Sequence, residues 1–284
     1  MNGFSRQGLW FDVTDSGPRD GEVAVLLHGW PQDHTAWDRV TPLLTAGGLR
    51  VLAPDQRGYS PSARPPGTSA YRMPELVADV AALLQEAGVE RAHLVGHDWG
   101  GSVAWAFAER HPELLRSLTV LSTPHHRAMA WAFRHGDQAR RSWYMAAFQV
   151  PVVPEVVLRR TLPSVLRRSG LPEPDVQRYA ARFRERGAAS GGLAWYRALA
   201  NPLGSSGADA HVPAGGPRRI TVPTTYVWGS RDPALGRAAA ERTARWVVSD
   251  YRFVELDAGH WLPETRPDDV AAAVLSRAAP RADS

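Results

Sequence analysis

A glycine-rich segment at residues 96–101, Gly-His-Asp-Trp-Gly-Gly, leaves this chain few ways to fold locally. It follows a short apolar run at 92–95, typical of a buried strand, and precedes small residues at 102–108, typical of a helix. The glycines favour a sharp strand-to-helix turn, where side chains would block the close backbone approach. Such an elbow normally presents a catalytic serine, but here it presents Asp98. The predicted nucleophile is therefore a carboxylate.

Glycine-rich turns between a strand and a helix also bind phosphate, which is the alternative for this segment. The segment lacks the G-x-G-x-x-G spacing and a P-loop lysine, and an acidic side chain would repel phosphate. The elbow interpretation is therefore favoured.

Composition limits the chemistry that the chain can perform. At 284 residues with 44% hydrophobic content, it can bury a large core, and we expect one large domain with an insertion. The absence of cysteine excludes disulfides, thiol catalysis and thiolate metal sites. All 33 basic residues are arginine, so Schiff-base chemistry and a P-loop are excluded as well. We expect no cofactor and no metal.

The N-terminal residues 1–14 show no basic start followed by an apolar stretch. No run in the sequence approaches the ~20 apolar residues of a membrane span. We expect a protein without a membrane span, located in the cytoplasm.

Apolar segments of strand type recur at intervals too long for hairpins, with helical stretches between them. These segments are 23–27, 50–53, 92–95, 117–121, 224–228 and 252–256. The alternation predicts the α/β class, with a mostly parallel central sheet flanked by helices. Ligands bind such sheets beyond the carboxyl ends of the strands, where residues 28–31, Asp98, Asp232 and His260 fall.

The stretch 126–212 breaks this rhythm, because it contains helical segments and several prolines but no convincing strand before a linker at 213–217. We predict a helical cap at 126–212, inserted into a core formed by 1–125 and 213–284. Residues 127–197 contain 13 arginines and five acidic residues, a net charge of +8. Solvated outer helix faces are the favoured explanation, and attraction of an anionic substrate or partner is the alternative. No module for nucleic-acid binding is recognisable in the sequence, so no nucleic acid is expected to bind.

The chemistry of a carboxylate nucleophile requires a histidine at a later step. An aspartate titrates near ~3.9 when unperturbed, so Asp98 needs no base to become nucleophilic. Attack on a saturated carbon gives an alkyl ester, whose hydrolysis needs a water deprotonated by a neutral imidazole. His260, which follows a predicted strand, is the candidate base. Asp232 is its candidate acidic partner, although an aspartate before Pro233 is equally typical of a turn or helix cap.

The segment His28-Gly29-Trp30-Pro31 also follows an apolar strand. Its glycine would let the backbone approach a substrate, and the backbone N–H groups of Trp30 and Trp99 are the predicted oxyanion hole. A simple tight turn is the alternative. The Trp30–Pro31 bond is a candidate cis peptide. The predicted substrate pocket consists of His28, Trp30, Pro31, Trp99 and Trp195.

These motifs resemble the α/β-hydrolase superfamily and, within it, the epoxide hydrolases, which share H-G-aromatic-P, G-H-D-W-G-G and a late G-H-W. The match spans nearly the whole chain. The resemblance implies an α/β-hydrolase fold and a cofactor-independent hydrolase that opens an epoxide to a vicinal diol through an aspartyl ester. It implies Asp98 as nucleophile, His260 as water-activating base and Asp232 as its partner. The implied reactants are a small apolar epoxide and water; the oligomeric state, monomer or homodimer, is left open.

The resemblance also implies two cap tyrosines that donate protons to the opening epoxide. The usual setting of the second, Asn-Trp-Tyr-Arg, is matched by residues 194–197 with alanine in place of asparagine, which implies Tyr196. The first lies four residues before a Phe-Gln pair, here at 148–149, which implies Tyr144. The following Val150-Pro151 departs from the family's acid-Pro. Either aromatic alone would also suit ordinary cap packing.

Haloalkane dehalogenases resemble this chain too, since they share an aspartate followed by tryptophan. Halide leaves as a stable anion, whereas an epoxide leaves as an alkoxide about as basic as hydroxide, whose conjugate acid has a pKa of ~15.7, and so needs a proton donor. Tyrosine, with an unperturbed pKa of ~10, supplies one at neutral pH. Dehalogenases often carry asparagine where Trp30 stands. The two tyrosines favour the epoxide, and Trp99 could still serve a halide.

A catalytically silent binding protein of the same fold is the third hypothesis. The nucleophile, acid and histidine occur in the expected order along the chain, which argues against it. A blocked pocket would be its structural signature.

Overall fold

The computed structural model describes residues 1–199 and 219–278. Within these ranges the chain forms one eight-stranded sheet. Its strands are β1 (Gly3–Arg6), β2 (Leu9–Ser16), β3 (Val23–Leu27), β4 (Arg50–Pro54), β5 (Ala92–His97), β6 (Leu115–Leu121), β7 (Thr224–Gly229) and β8 (Tyr251–Leu256).

The described residues also form α-helices of very different lengths. They are α1 (Thr41–Ala46), α2 (Met73–Glu86), α3 (Trp99–Arg110), α4 (His126–His135), α5 (Gln138–Arg141), α6 (Trp143–Ala147), α7 (Val153–Arg168), α8 (Glu173–Arg184), α9 (Ala188–Leu199), α10 (Arg237–Arg242), α11 (Leu262–Thr265) and α12 (Pro267–Ala278). None of them is both long and apolar enough to cross a membrane.

The strand order is β1-β2-β4-β3-β5-β6-β7-β8, and every pair from β4 to β8 is parallel. Strands β3, β5 and β7 are buried along their whole length, which requires cover on both faces of the sheet. Helix α3 packs against β3, β5 and β6, and α12 packs against β5, β6 and β7. The predicted α/β class and its mostly parallel sheet are confirmed.

Two strands precede those predicted from the sequence. Strands β1 and β2 form an antiparallel hairpin at one edge of the sheet. The inner strand of this hairpin, β2, pairs antiparallel with β4. The hairpin turns at Gln7 and Gly8, which both have positive φ, at 54° and 74°. That pair of left-handed residues is typical of a type I′ turn, the geometry that suits the twist of an antiparallel pair.

Helices α4 to α9 come between β6 and β7 in the chain, where the cap is predicted. Helix α9 approaches the loop after β4 so closely that a Cβ on Gly191 would lie 2.8 Å from the Cα of Gly58. The indole N–H of Trp195 in α9 donates to the carbonyl of Arg57 at 2.8 Å. These contacts hold α9 against the carboxyl edge of the sheet. The linker predicted at 213–217 lies outside the described residues, so the cap boundary at 212 stays a prediction.

Candidate active site

Asp98 occupies the turn between β5 and α3, as the glycine-rich segment predicts. Its backbone has φ +50° and ψ −119°, a strained conformation for any residue except glycine. A Cβ on Gly96 would lie 2.8 Å from the Cα of Gly101, and one on Gly100 would collide with the backbone of Leu27. The absence of these side chains lets the turn close and presents Asp98 at the carboxyl end of β5.

The Asp98 carboxylate is held by the loop after β3. Its Oδ1 accepts a hydrogen bond of 2.8 Å from the backbone N–H of Trp30. The Trp30–Pro31 peptide bond, a candidate cis bond in the sequence, is cis. Burial alone would raise the pKa of Asp98, but the nearby His260 and the Trp30 N–H outweigh it and lower that pKa. Asp98 is therefore ionised at neutral pH.

His260 lies between two carboxylates. Its Nδ1 is 2.7 Å from Asp232 Oδ2, and its Nε2 is 3.6 Å from Asp98 Oδ2. Burial lowers the pKa of His260, but the charges of Asp232 and Asp98 more than compensate and raise it well above its usual value. The three predicted residues, which follow β5, β7 and β8, thus meet at one edge of the sheet.

Asp232 makes the contacts that each of the two roles considered for it would require. Its Oδ1 accepts the backbone N–H groups of Ala234 at 2.8 Å and Leu235 at 3.0 Å, which is the turn-capping role. Its Oδ2 contacts Nδ1 of His260, which is the partner role. The two N–H donors fix the carboxylate, so the imidazole is held in one orientation with Nε2 towards Asp98.

Two cavities meet at Asp98, with volumes of about 580 Å³ and 480 Å³. Tyr144 and Tyr196 line both of them, while Trp30 and His260 line the larger and Trp99 lines the smaller. Burial raises the pKa of both tyrosines, and the charge of Asp98 adds to the effect. Both phenols therefore keep their protons at neutral pH and can act as donors.

Aromatic packing fixes Tyr196 in the site. Its ring lies edge-on to Trp99, with centroids 4.9 Å apart, and edge-on to Trp30 at 5.9 Å. The Tyr144 ring is 6.2 Å away in a similar edge-on arrangement. The two tyrosines come from α6 and α9, so two separate helices of the predicted cap bring them to the same place.

The predicted pocket is wrong at three positions. His28, Pro31 and Trp195 are not among the residues that line the two cavities. The His28 ring is buried in the protein, where its Nε2 accepts the backbone N–H of Gln56 at 3.1 Å. Trp195 packs behind Trp99, with ring centroids 5.5 Å apart. His28 and Trp195 therefore lie behind the surface of the two cavities.

Of the two backbone N–H groups predicted to form the oxyanion hole, that of Trp30 is seen to contact Asp98. The N–H of Trp30 already donates to Asp98 Oδ1, so it is placed to hold that oxygen when charge develops on it. The contribution of the Trp99 N–H stays a prediction.

A buried polar network behind His260 is absent from the sequence predictions. The His260 carbonyl lies 2.8 Å from the Ser122 hydroxyl, which donates to it, and 2.9 Å from His97 Nε2. His97 Nδ1 lies 2.9 Å from the amide oxygen of Gln32, whose NH₂ donates to Glu264 at 2.6 Å. The sequence could have singled out these residues only by their place within or beside the motifs, where His97, Gln32 and Glu264 stand. Their contacts with one another depend on the tertiary fold.

Glu264 is the unusual acid of that network. The hydroxyl of Tyr179, in α8, also donates to its Oε1 at 2.8 Å. Burial dominates over these hydrogen bonds and raises the pKa of Glu264 to about 7. This carboxyl gains or loses its proton in the neutral range.

Two clusters of histidine and acidic residues among the described residues have the spacing of metal ligands. The first borders the smaller cavity, which Glu109 and His126 line, and neither includes Asp98, Asp232 or His260. In Glu109, His125 and His126, His125 Nδ1 accepts the backbone N–H of Arg127, so its Nε2 carries the proton and faces Glu109. In Asp33, His34 and Asp55, the Asp55 carboxylate already pairs with His34 and with Arg182. Hydrogen bonds and ion pairs account for both clusters.

The sequence matches the α/β hydrolase fold family over residues 23–267. Among curated proteins, it is 36% identical over 278 residues to the AB hydrolase superfamily protein YfhM of Bacillus subtilis, covering 94% of each chain. It is 32% identical over 311 residues to epoxide hydrolase A of Mycobacterium tuberculosis, again covering 94% of each.

A solved structure described as a novel epoxide hydrolase of the α/β-hydrolase superfamily, from metagenomes of hot environments, superposes with a TM-score of 0.82. The two sequences are 29% identical, and the alignment covers 98% of each chain. The similarity thus extends over the predicted core and the predicted cap together.

Proposed function

This chain is an epoxide-hydrolase-like member of the α/β-hydrolase family, and we propose that it opens an epoxide to a vicinal diol through a covalent ester on Asp98. The observation that carries the proposal is the shared wall of the two cavities, which contains Asp98 together with Tyr144 and Tyr196. A nucleophile and two proton donors at one place suit an epoxide, which must be attacked at carbon and protonated at oxygen. The named epoxide hydrolases among the relatives support the same reaction.

In the first step, Asp98 attacks one carbon of the epoxide. Its Oδ1 is held by the Trp30 N–H, so Oδ2 is the oxygen available to form the new C–O bond. The C–O bond of the ring breaks, and the departing oxygen takes a proton from Tyr144 or Tyr196. The product is a hydroxyalkyl ester of Asp98 and a tyrosinate, which regains a proton before the next turnover.

In the second step, His260 deprotonates a water molecule, and the resulting hydroxide attacks Cγ of Asp98. The Trp30 N–H holds the oxyanion of the tetrahedral intermediate. The bond between Cγ and Oδ2 then breaks, and the diol leaves with Oδ2 and a proton from His260. Asp98 is left as the carboxylic acid, and its proton returns to the tyrosinate, which restores both side chains. Asp232 stabilises the imidazolium in between, because its Oδ2 lies 2.7 Å from Nδ1.

The change in charge around His260 during the reaction suits these two steps. In the free enzyme the Asp98 and Asp232 charges favour protonated His260. Once Asp98 is esterified its charge is gone, so His260 loses its proton more readily and becomes a better base. The base is thus activated by formation of the ester that it must hydrolyse.

The two other hypotheses receive less support. Halide displacement requires the same nucleophile and base but gives no role to two cavity-lining tyrosines. A silent binding protein would have a blocked pocket, whereas cavities of about 580 Å³ and 480 Å³ reach Asp98.

The direct test is turnover of a panel of aryl and alkyl epoxides, with the diol measured by chromatography. Asp98→Asn, which keeps the shape but not the charge, is the matched control. We expect diol from the wild-type protein and a loss of roughly a thousandfold or more in the variant. Comparable activity of Asp98→Asn, or release of bromide from bromoalkanes with no diol from any epoxide, would contradict the proposal.

A further inference from the structure

A cluster of apolar side chains is exposed on α6, on the start of α7 and on the loop between them. Its members, here called the apolar rim, are Trp143, Val150, Val152, Val153, Val156 and Val157. Trp143 is 70% exposed, and Val152 is 67% exposed. Single exposed apolar residues are ordinary on protein surfaces, but a contiguous group of large ones marks an interaction surface.

The apolar rim surrounds an entrance to the active site. Trp143, Val150, Val153 and Val157 are exposed and also line the cavity of about 580 Å³ that contains Asp98. A protein seated on the rim would close this entrance. A lipid surface would leave it open to apolar molecules dissolved in the bilayer.

The backbone directs one rim residue outwards under strain. Val152 has φ +67° and ψ −44°, and the N–H of Val153 donates to the carbonyl of Pro151 at 2.7 Å. This is the rare form of the γ-turn, and it is unfavourable for a β-branched residue. The turn places an exposed valine at the start of α7 beside the entrance.

Positive charge accompanies the apolar side chains. Arg159 and Arg160 follow Val156 by about one helical turn, and both are exposed. Neither has an ion-pair partner in the part of the chain that the structure describes, nor does Arg168 at the end of α7. The single acidic residue of α7, Glu155, is paired with Arg197. The surface therefore combines apolar side chains with free cations, the combination that binds anionic lipid headgroups.

We propose that the apolar rim docks on an anionic lipid surface, so that apolar substrates enter the Asp98 cavity directly from the bilayer. Docking stands on the exposed side chains and charges alone, whereas delivery of an epoxide rests on the proposed function. The arginines contact headgroup phosphates, and the valines and Trp143 lie at the boundary with the acyl chains.

The test is co-sedimentation of the full-length protein with vesicles of phosphatidylcholine containing 30% phosphatidylglycerol (about one lipid in three, enough to give a negative surface potential). The variant Val152→Asp/Val156→Asp changes rim residues that do not line the cavity. Its matched control is Val248→Asp. Val248 is 55% exposed but lies before β8, at the amino ends of the parallel strands, whereas the active site lies at their carboxyl ends. We expect the partition coefficient to fall at least roughly tenfold in the rim variant only.

A second pair tests the charges. Arg159→Gln/Arg160→Gln is expected to weaken binding by roughly tenfold to thirtyfold, and added salt should weaken the wild type in the same direction. Arg19→Gln is the control, because Arg19 is exposed and lies before β3, at the amino ends of the parallel strands. Vesicles of phosphatidylcholine alone should bind the wild type much more weakly.

Three results would overturn the docking proposal. They are no sedimentation of the wild type, equal sedimentation of the rim variant, and a homodimer in light scattering that the rim variant makes monomeric, which would assign the rim to a second copy. Thermal unfolding and turnover of a water-soluble epoxide should be unchanged in the rim variant. If vesicles bind as expected but the wild type turns over no epoxide, docking stands and the proposed function fails.

Discussion

Gly29 and Asp98 are in contact so close that position 29 admits no side chain. A Cβ on Gly29 would lie 2.6 Å from Oδ1 of Asp98 and would also overlap its Cβ. The same contact brings the Trp30 N–H within 2.8 Å of that oxygen. We therefore predict that Gly29→Ala displaces Asp98 or the loop and lowers kcat by roughly a hundredfold or more.

Gly259→Ala is the matched control for this effect. Gly259 precedes His260, but a Cβ there would meet its nearest neighbour, the Ser169 carbonyl, only at 3.9 Å. Turnover of the two variants and their circular dichroism spectra provide the measurement. Full activity of a folded Gly29→Ala protein would refute the claim that this contact positions the nucleophile.

The charges around His260 predict how its pKa responds to Asp98. Burial lowers the pKa of His260, whereas Asp232 and Asp98 raise it. Replacing Asp98 by the neutral asparagine removes one of the two anions and imitates the esterified state. We expect the pKa of His260, followed by NMR titration, to be lower in Asp98→Asn than in the wild type. An unchanged or higher value would remove the electrostatic basis for activation of the base by ester formation.

The tyrosines are predicted to act on epoxide opening alone. Tyr144→Phe combined with Tyr196→Phe should slow alkylation of Asp98 by an epoxide about a hundredfold to ten-thousandfold, because the alkoxide then leaves unprotonated. Any displacement of bromide should be spared. Tyr59→Phe is the control, since that buried hydroxyl has no hydrogen-bond partner among the described residues and does not line the two cavities. Equal losses for epoxide and bromoalkane would indicate a packing role instead.

Glu264 makes stability depend on pH. Burial raises its pKa in the folded protein to about 7, above the usual value of 4.5 for an unfolded chain. The folded state thus holds the proton more tightly, so the free energy of unfolding falls as pH rises between these two values, by an amount on the order of 3 kcal/mol. Glu264→Gln should remove this decline and unfold at a higher temperature than the wild type at pH 8. A lower Tm for the variant at pH 8, together with an unchanged pH profile, would show that the Glu264 charge is not destabilising.

The sequence predicts the parallel part of the fold and the meeting of Asp98, Asp232 and His260 for one physical reason. Parallel strands place their carboxyl ends at the same edge of a sheet, so residues that follow β5, β7 and β8 come together although they are far apart in the chain. Apolar runs and glycine-rich turns are local signals, and local signals suffice for this inference.

What the sequence does not predict depends on packing. His28 and Trp195 belong to the motifs, but only the tertiary fold decides that they lie behind the cavity wall. The hydrogen bond between Gln32 and Glu264 joins residues 232 positions apart, and no pattern in the chain relates them. The hairpin of β1 and β2 turns at Gln7-Gly8, a pair that lacks the Asn-Gly or Asp-Gly signature.

The ester on Asp98 can be detected in a variant that forms it but cannot hydrolyse it. Purified His260→Gln is exposed to the epoxide panel and, separately, to bromoalkanes. The mass of the peptide that contains Asp98 is then measured by mass spectrometry. We predict a mass gain equal to one whole epoxide on Asp98, with no such adduct in Asp98→Asn/His260→Gln. Rapid release of diol by His260→Gln, or adducts formed from bromoalkanes but from no epoxide, would contradict the account.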